Sequence, residues 1–257
     1  MASAARPWGF ASSVAAAAHV LAPALDESIV VDGADGHHLE RVRRLRVGEI
    51  VTVADGAGAW RRYVVDATGR GRLDLAADGD VHHEPRLEPG LAVAFGVGKG
   101  AKPEVVVSGL TELGVDRIVP LLAARAVVRW DAERAAAVVD RLRRVAREAT
   151  LQCRRARLPT VEAAVGLEDL GTQGVVVVGD PAGASVHTLR LPAAGEWLVV
   201  VGPEGGLTAH ERAALLARPG AVAVAVGPHV LRTETAALAV AAALSGRRQP
   251  VREVPQR

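Results

Sequence analysis

The chain has 257 residues, 49% hydrophobic content and a formal net charge of +2, enough apolar material for one large core or two modest ones and too much for a disordered chain. A single cysteine, Cys153, excludes an internal disulfide and a cysteine-rich zinc site, and the adjacent pairs His37-His38 and His82-His83 lack the i, i+4 spacing of helical metal ligands. The apolar runs are too short to span a bilayer and the first residues lack the apolar region of a secretory signal. The expectation is a cytoplasmic protein without a metal or a membrane partner.

In chain order, the first 80 residues read as a small β module of barrel or sandwich type. Ile29–Val31, Ile50–Val53, Arg62–Val65 and Leu73–Leu75 are strand-like, and Asp32-Gly33, Asp55-Gly56, Gly69 and Gly71 supply turns. Residues 37 to 45 have helical spacing and interrupt the module, stopping at Gly48. Asp78 to Gly90 is polar and turn-rich, and a domain boundary is placed there, with domains at 1–80 and 90–257.

Beyond it, strands and helices alternate. Strands are expected at 91–97, 117–122, 174–179, 197–201 and 221–226, and helices at 104–113, 132–151, 209–217 and 233–244. Such alternation predicts a parallel sheet covered by helices on both faces. Two of its strands, Leu198–Val201 and Ala221–Val226, are valine-rich, and each ends near a Gly-Pro and feeds a helix. The loops after them should therefore meet at the carboxyl edge of the sheet, where open α/β sheets bind ligands.

The residue types in those loops point to a ligand held by backbone. Gly202, Gly205 and Gly206 permit close approach, while Pro203 and Pro228 fix the chain after each strand. Thr208 and Glu211 have capping-box spacing, a structural role, and Thr233 or Thr235 is a candidate cap for the last helix. Arg232 and Glu234 sit at the strand-to-helix junction and suggest ligand contact, with a local salt bridge as the plain alternative. Neither G-x-G-x-x-G after a strand nor G-x-x-x-x-G-K-[ST] occurs, so dinucleotide and nucleoside triphosphate sites lose support.

Arginine is concentrated in two places. One cluster is Arg41, Arg43, Arg44 and Arg46; the other runs through Arg141, Arg143, Arg144, Arg147, Arg154, Arg155 and Arg157. At about 100° per residue, Val138, Leu142, Val145 and Ala149 share one helix face and Arg143, Arg144 and Arg147 fan across the other. A solvated face explains either cluster alone; two without an acidic counter-run favour a phosphate-binding surface.

With Gly202-Pro-Glu-Gly-Gly206, Leu231-Arg-Thr-Glu-Thr-Ala236, Thr111-Glu-Leu-Gly-Val115, Gln152-Cys-Arg-Arg-Ala-Arg-Leu-Pro159 and His38-Leu-Glu-Arg-Val-Arg-Arg-Leu45 in this order, the chain resembles the RsmE family of SPOUT methyltransferases over nearly its whole length. The resemblance implies a PUA-like RNA-binding β-barrel domain followed by a SPOUT-type α/β domain with a parallel sheet and a C-terminal trefoil knot. It implies S-adenosylmethionine as cofactor, a homodimer, and methylation of N3 of one uridine in the 16S rRNA of the 30S subunit. His229, Gly109 and Arg154 depart from residues common in that family, which puts identical RNA contacts in doubt.

Carried onto this sequence, the cofactor residues would be Gly179, Asp180, Gly202, Pro203, Glu204, Gly205, Gly206, Val226, Gly227, Val230, Leu231, Arg232, Thr233, Thr235 and Ala236. Arg232 or Arg155 would stabilise charge on the uracil oxygens and Glu234 is a candidate base. Arg41, Arg43, Arg44, Arg46, Lys99, Lys102, Arg154 and Arg155 would contact RNA. Two other readings remain open: a SPOUT enzyme acting on a ribose 2′-hydroxyl, and a non-catalytic RNA-binding assembly factor.

Overall fold

The computed structural model describes residues 11, 15–98, 102–128, 130–172 and 174–250. Two compact units divide the chain, Met1–Arg86 with Thr150–Leu158, and Leu87–Ala149 with Pro159–Arg257.

The first unit is built on a sheet of β1 (Ala18–Leu21), β2 (Ser28–Val31), β3 (Ile50–Ala54), β4 (Ala59–Gly69), β5 (Arg72–Ala77) and β6 (His82–His83). Their order is β1-β3-β4-β5-β2 with β6 on β4, antiparallel except for β1 against β3. Val51, Val53, Tyr63, Val65, Leu73 and Leu75 form its core. The expected helix begins earlier than its spacing suggests, as α1 (Gly33–His37), and runs on through a π-helical turn at His38–Val42. Gly36 explains the tight fit of this helix, because a Cβ there would lie 2.4 Å from the Gly71 carbonyl.

The stretch Thr150–Leu158 lies inside the range 90–257 read as one domain, yet it groups with the first unit. Hydrogen bonds account for this. The Ala156 N–H donates to Glu84 Oε2 at 2.8 Å, Arg157 donates to the Glu84 carbonyl at 2.8 Å, and the Leu158 N–H donates to the Gly56 carbonyl at 2.9 Å.

The second unit opens with the short β7 (Leu87–Glu88) and continues with β8 (Gly90–Gly96), α2 (Lys102–Glu112), β9 (Arg117–Leu121), α3 (Ala132–Cys153, whose residues from Thr150 on group with the first unit), β10 (Thr160–Val161), β11 (Val175–Ser185), β12 (Glu196–Val201), α4 (Ala209–Leu216), β13 (Val222–Ala225), α5 (Thr233–Ser245) and β14 (Gln249–Pro250). The main sheet is parallel throughout, in the order β10-β9-β8-β12-β11-β13.

Strand alternation sorts the side chains onto two faces. Leu91, Val93, Phe95, Trp197 and Val199 face α2, α3 and α5 through Val107, Leu110, Leu142, Val240 and Leu244. Ala92, Ala94, Val176, Val178, Leu198 and Val200 pack with Leu215 of α4. With both faces covered, the strands read as continuous apolar runs, which is why they were visible in the sequence.

One strand is longer than expected. The strand expected at 174–179 continues, as β11, to Ser185. Gly179 and Ala184 both pair with Val224, so residues 180–183 leave the ladder as a bulge between two paired segments. The loop and the strand extension are both present.

The far end of the chain is anchored by Arg248, which is fully buried. Its guanidinium donates to the carbonyls of Pro89 at 2.7 Å, Gly114 at 2.9 Å and Leu87 at 3.2 Å, and pairs with Asp116. Removing it would leave buried acceptors without donors. Arg248→Ala is expected to cost about 1–3 kcal/mol, measured by denaturant unfolding, and Arg248→Lys is expected not to restore it, because one ammonium cannot reproduce the planar fork.

Candidate active site

The bulge of β11 lies beside the carboxyl ends of β12 and β13, and the loops there enclose one cavity of about 520 Å³. Val178, Val201, Leu207, Val226, Leu231 and Val240 make its walls apolar, and Asp180, Glu204, Arg212, His229 and Arg232 place charged or titratable groups on it. Few polar groups in an apolar concavity is the composition of a small-molecule site.

The middle loop is shaped by glycine at two places. A Cβ on Gly96, at the end of β8, would lie 2.2 Å from the Pro203 nitrogen, so only glycine lets the loop cross there. Gly206 has φ +70°, and its N–H closes the turn onto the Pro203 carbonyl at 2.8 Å. Thr208 then caps α4 in a full capping box, its hydroxyl accepting from the Glu211 N–H at 3.1 Å and Glu211 Oε2 accepting from the Thr208 N–H at 2.7 Å. Glu211 Oε1 also accepts from the Ala124 N–H at 2.8 Å. Burial works against the Glu211 carboxylate, but the hydrogen bonds from Ala124 and Thr208 outweigh it and hold the group below the usual glutamate range.

Neither candidate threonine caps α5. Arg232 occupies the N-cap in extended conformation with no side-chain cap bond. Thr233 instead donates to the Gly202 carbonyl at 3.0 Å, tying the start of α5 to the middle loop. A hydroxyl at a helix start can accept from the first turn or donate elsewhere, and here the tertiary bond wins.

Of the expected cofactor residues, Gly179, Asp180, Gly202, Pro203, Glu204, Gly206, Val226, Gly227, Val230, Leu231, Arg232, Thr233 and Ala236 line the cavity, while Gly205 and Thr235 do not. Asp180 accepts from the Ala182 N–H at 2.8 Å and pairs with Arg212 of α4. The Arg212 pairing, with the Ala182 bond, holds the Asp180 carboxyl below its ordinary value. Sequence reasoning missed Arg212, Leu207 and His229 as lining residues. Arg212 follows the capping glutamate directly, but nothing local signals a partner in another loop.

Glu234 is not on the large cavity; it lines a small one beside it with Phe95, Lys102, Glu204 and Thr233, and its Oε2 is buried without a hydrogen-bond partner. Lys102, expected on RNA, donates to Glu204 Oε1 at 2.7 Å and so joins α2 to the middle loop. That bond raises the lysine pKa.

Arg41, Arg43, Arg44, Arg46, Arg154 and Arg155 belong to the first unit. Arg43 donates to the Ala17 carbonyl at 3.1 Å and Arg154 to the Ala16 carbonyl at 2.8 Å, so both carry structural bonds. Arg41, beside Glu40 at 3.6 Å, and the exposed Arg44 and Arg46 remain turned to solvent. Arg155 lies in this unit and does not line the cavity; its carbonyl accepts from His19 Nε2 at 3.0 Å. Lys99 lies outside the described residues.

His19 is buried, and its Nδ1 lies 2.8 Å from the Thr52 hydroxyl. Nε2 donates to a carbonyl, and in the neutral ring that burial favours Nδ1 is the acceptor for the Thr52 hydroxyl. Burial lowers its pKa from 6.5 to about 4, against the Arg155 carbonyl bond, with Arg154 adding to the lowering. The unfolded chain therefore takes up the proton first, and stability should fall as pH drops from 6.5 toward about 4. Urea titrations across this range are expected to show the slope, and His19→Gln to flatten it.

Comparison with known proteins places this geometry. An RNA methyltransferase domain matches residues 86–245, which include the main parallel sheet and the cavity loops, and an RNA methyltransferase PUA domain matches residues 31–77. The fold is that of an RNA methyltransferase domain with a PUA domain. A ribosomal RNA small subunit methyltransferase E from Mycobacterium bovis is 37% identical over 219 residues, 81% of this chain and 82% of the relative. The Bacillus subtilis protein of that name is 28% identical over 84% of this chain and 88% of its own. A crystal structure of the Neisseria gonorrhoeae protein of that name, bound to S-adenosyl methionine, superimposes with a TM-score of 0.76 at 26% identity, covering 90% of this chain and 97% of that one. The chain belongs to the ribosomal RNA small subunit methyltransferase E family.

Proposed function

We propose that this chain transfers a methyl group from S-adenosylmethionine to N3 of one uridine in the 16S rRNA of the small ribosomal subunit. The observation that carries the reading is the cavity, in which loops singled out by residue type converge on one space of about 520 Å³. Its composition suits that cofactor. Apolar walls at Val178, Val226 and Leu231 suit a flat base, glycine backbone at Gly179, Gly202 and Gly227 admits close approach, and opposite charges at Asp180, Glu204 and Arg212 suit a zwitterionic amino acid. When bound, the cofactor supplies an electrophilic methyl group on its sulfonium.

The chain's own residues have to hold the uracil and manage its proton. N3 is protonated at neutral pH and lies on the pairing edge, so the base must be unpaired and its developing negative charge stabilised. Arg232 stands on the cavity at the N-cap of α5, where the guanidinium and the positive end of the helix dipole act in the same sense. Its role is to stabilise a uracil carbonyl oxygen. Glu234, two residues on, has a buried oxygen with no donor among the described residues and is the candidate proton acceptor. The exposed Arg41, Arg44 and Arg46 suit rRNA backbone.

The finer architecture belongs to the same proposal: the C-terminal loops form a trefoil knot, the protein works as a homodimer, and its place is the cytoplasm. Incubation with radiolabelled S-adenosylmethionine and unmodified 30S subunits, followed by mass spectrometry of the labelled nucleoside, is expected to yield N3-methyluridine. A ribose methyl would move the function to the 2′-hydroxyl, and neither transfer nor cofactor binding would favour an assembly factor. Arg232→Ala is expected to lower turnover by about 10²–10³-fold while cofactor affinity stays within a few-fold. Full turnover with lost cofactor binding would remove Arg232 from this role.

A further inference from the structure

The cavity carries a charged pair that its general shape does not require. Asp180 sits on the bulge of β11 and Arg212 in the first turn of α4, and both line the cavity. Asp180 is spoken for on both oxygens, Oδ1 by the Ala182 N–H at 2.8 Å and Oδ2 by Arg212 Nε. The side chain of Asp180 is only 14% exposed, whereas that of Arg212 is 46% exposed. Arg212 thus spends its Nε on the aspartate, and among the described residues no hydrogen bond engages its two terminal nitrogens. A guanidinium anchored along one edge and open along the other presents a preorganised fork for a carboxylate.

The rest of the lining gives this arrangement its consequence. The other cation on the cavity, Arg232, is exposed at the start of α5, and Glu204 is engaged by Lys102. S-adenosylmethionine carries one carboxylate, on its amino-acid part. We propose that Arg212 is the group that recognises this carboxylate, and that Asp180 is a positioning residue that fixes the guanidinium and limits the positive charge beside the cofactor's sulfonium. The inference rests on the cofactor reading above and adds the polarity of the bound molecule: its amino-acid end lies toward the β11 bulge and α4.

Two ligands separate the effects without turnover. S-adenosylhomocysteine has the amino-acid part, and 5′-methylthioadenosine shares the nucleoside but lacks the carboxylate. Calorimetric titration of the wild-type chain is expected to favour the first. In Arg212→Ala, affinity for S-adenosylhomocysteine should fall about tenfold to hundredfold, the scale of one charge-assisted hydrogen bond, with 5′-methylthioadenosine unchanged. Arg212→Lys should recover part of the preference, and Asp180→Asn should reduce it while sparing 5′-methylthioadenosine.

A ratio of the two affinities that is unchanged in Arg212→Ala overturns the proposal. An unchanged ratio together with weaker binding of an rRNA fragment overturns it too, and assigns Arg212 to phosphate. Failure of the wild-type chain to bind either nucleoside overturns the cofactor reading itself, an outcome distinct from a lost role for Arg212.

Discussion

A parallel sheet buried on both faces leaves its strands no room for chemistry. In β8, β11 and β12, residues of one parity are committed to α2, α3 and α5 and those of the other to the core that includes α4. Polar function is thereby confined to the loops at the strand ends, and parallel strands bring those ends to the same edge. The cavity follows from this confinement. Gly96, Pro203 and Thr233 then serve it together: the glycine admits the proline, and the threonine hydroxyl pins α5 to the loop the proline opens.

What could be read from the sequence follows the same division. The main strands and helices of the second unit were visible because burial on both faces makes long valine runs, and capped helices announce their starts. Thr208 and Glu211 are the clearest case, since a capping box is a local device with a local signature. The two-residue strands β6, β7, β10 and β14 have too few residues to display a period, and β1, no shorter than β2, is not marked by its sequence either. The cavity loops were legible through glycine, proline and flanking helix starts.

Long-range pairing was not legible, and it changed the meaning of several charges. Lys102 is bound to Glu204, 102 residues away, and Arg154 to Ala16, 138 residues away, so neither is simply a solvent-facing cation awaiting RNA. Arg212 joined the cavity through Asp180, a partner that no spacing rule supplies. Thr233 looked like a cap and is a tether. In each case the residue type was informative and its partner was set by the tertiary fold.

The first unit is not written in one piece. Its Glu84 carboxylate and carbonyl, and the carbonyl of Gly56, receive their donors from Ala156, Arg157 and Leu158. During synthesis, the chain up to Arg86 therefore leaves the ribosome with those acceptors unmet, and they must wait in water until residue 158 emerges. Closing so long a loop adds an entropic toll that grows slowly with length, so the delay is one of timing more than of stability. The order of birth of the two units differs from their order of completion: the domain that begins first can finish only after a large part of the second has been made.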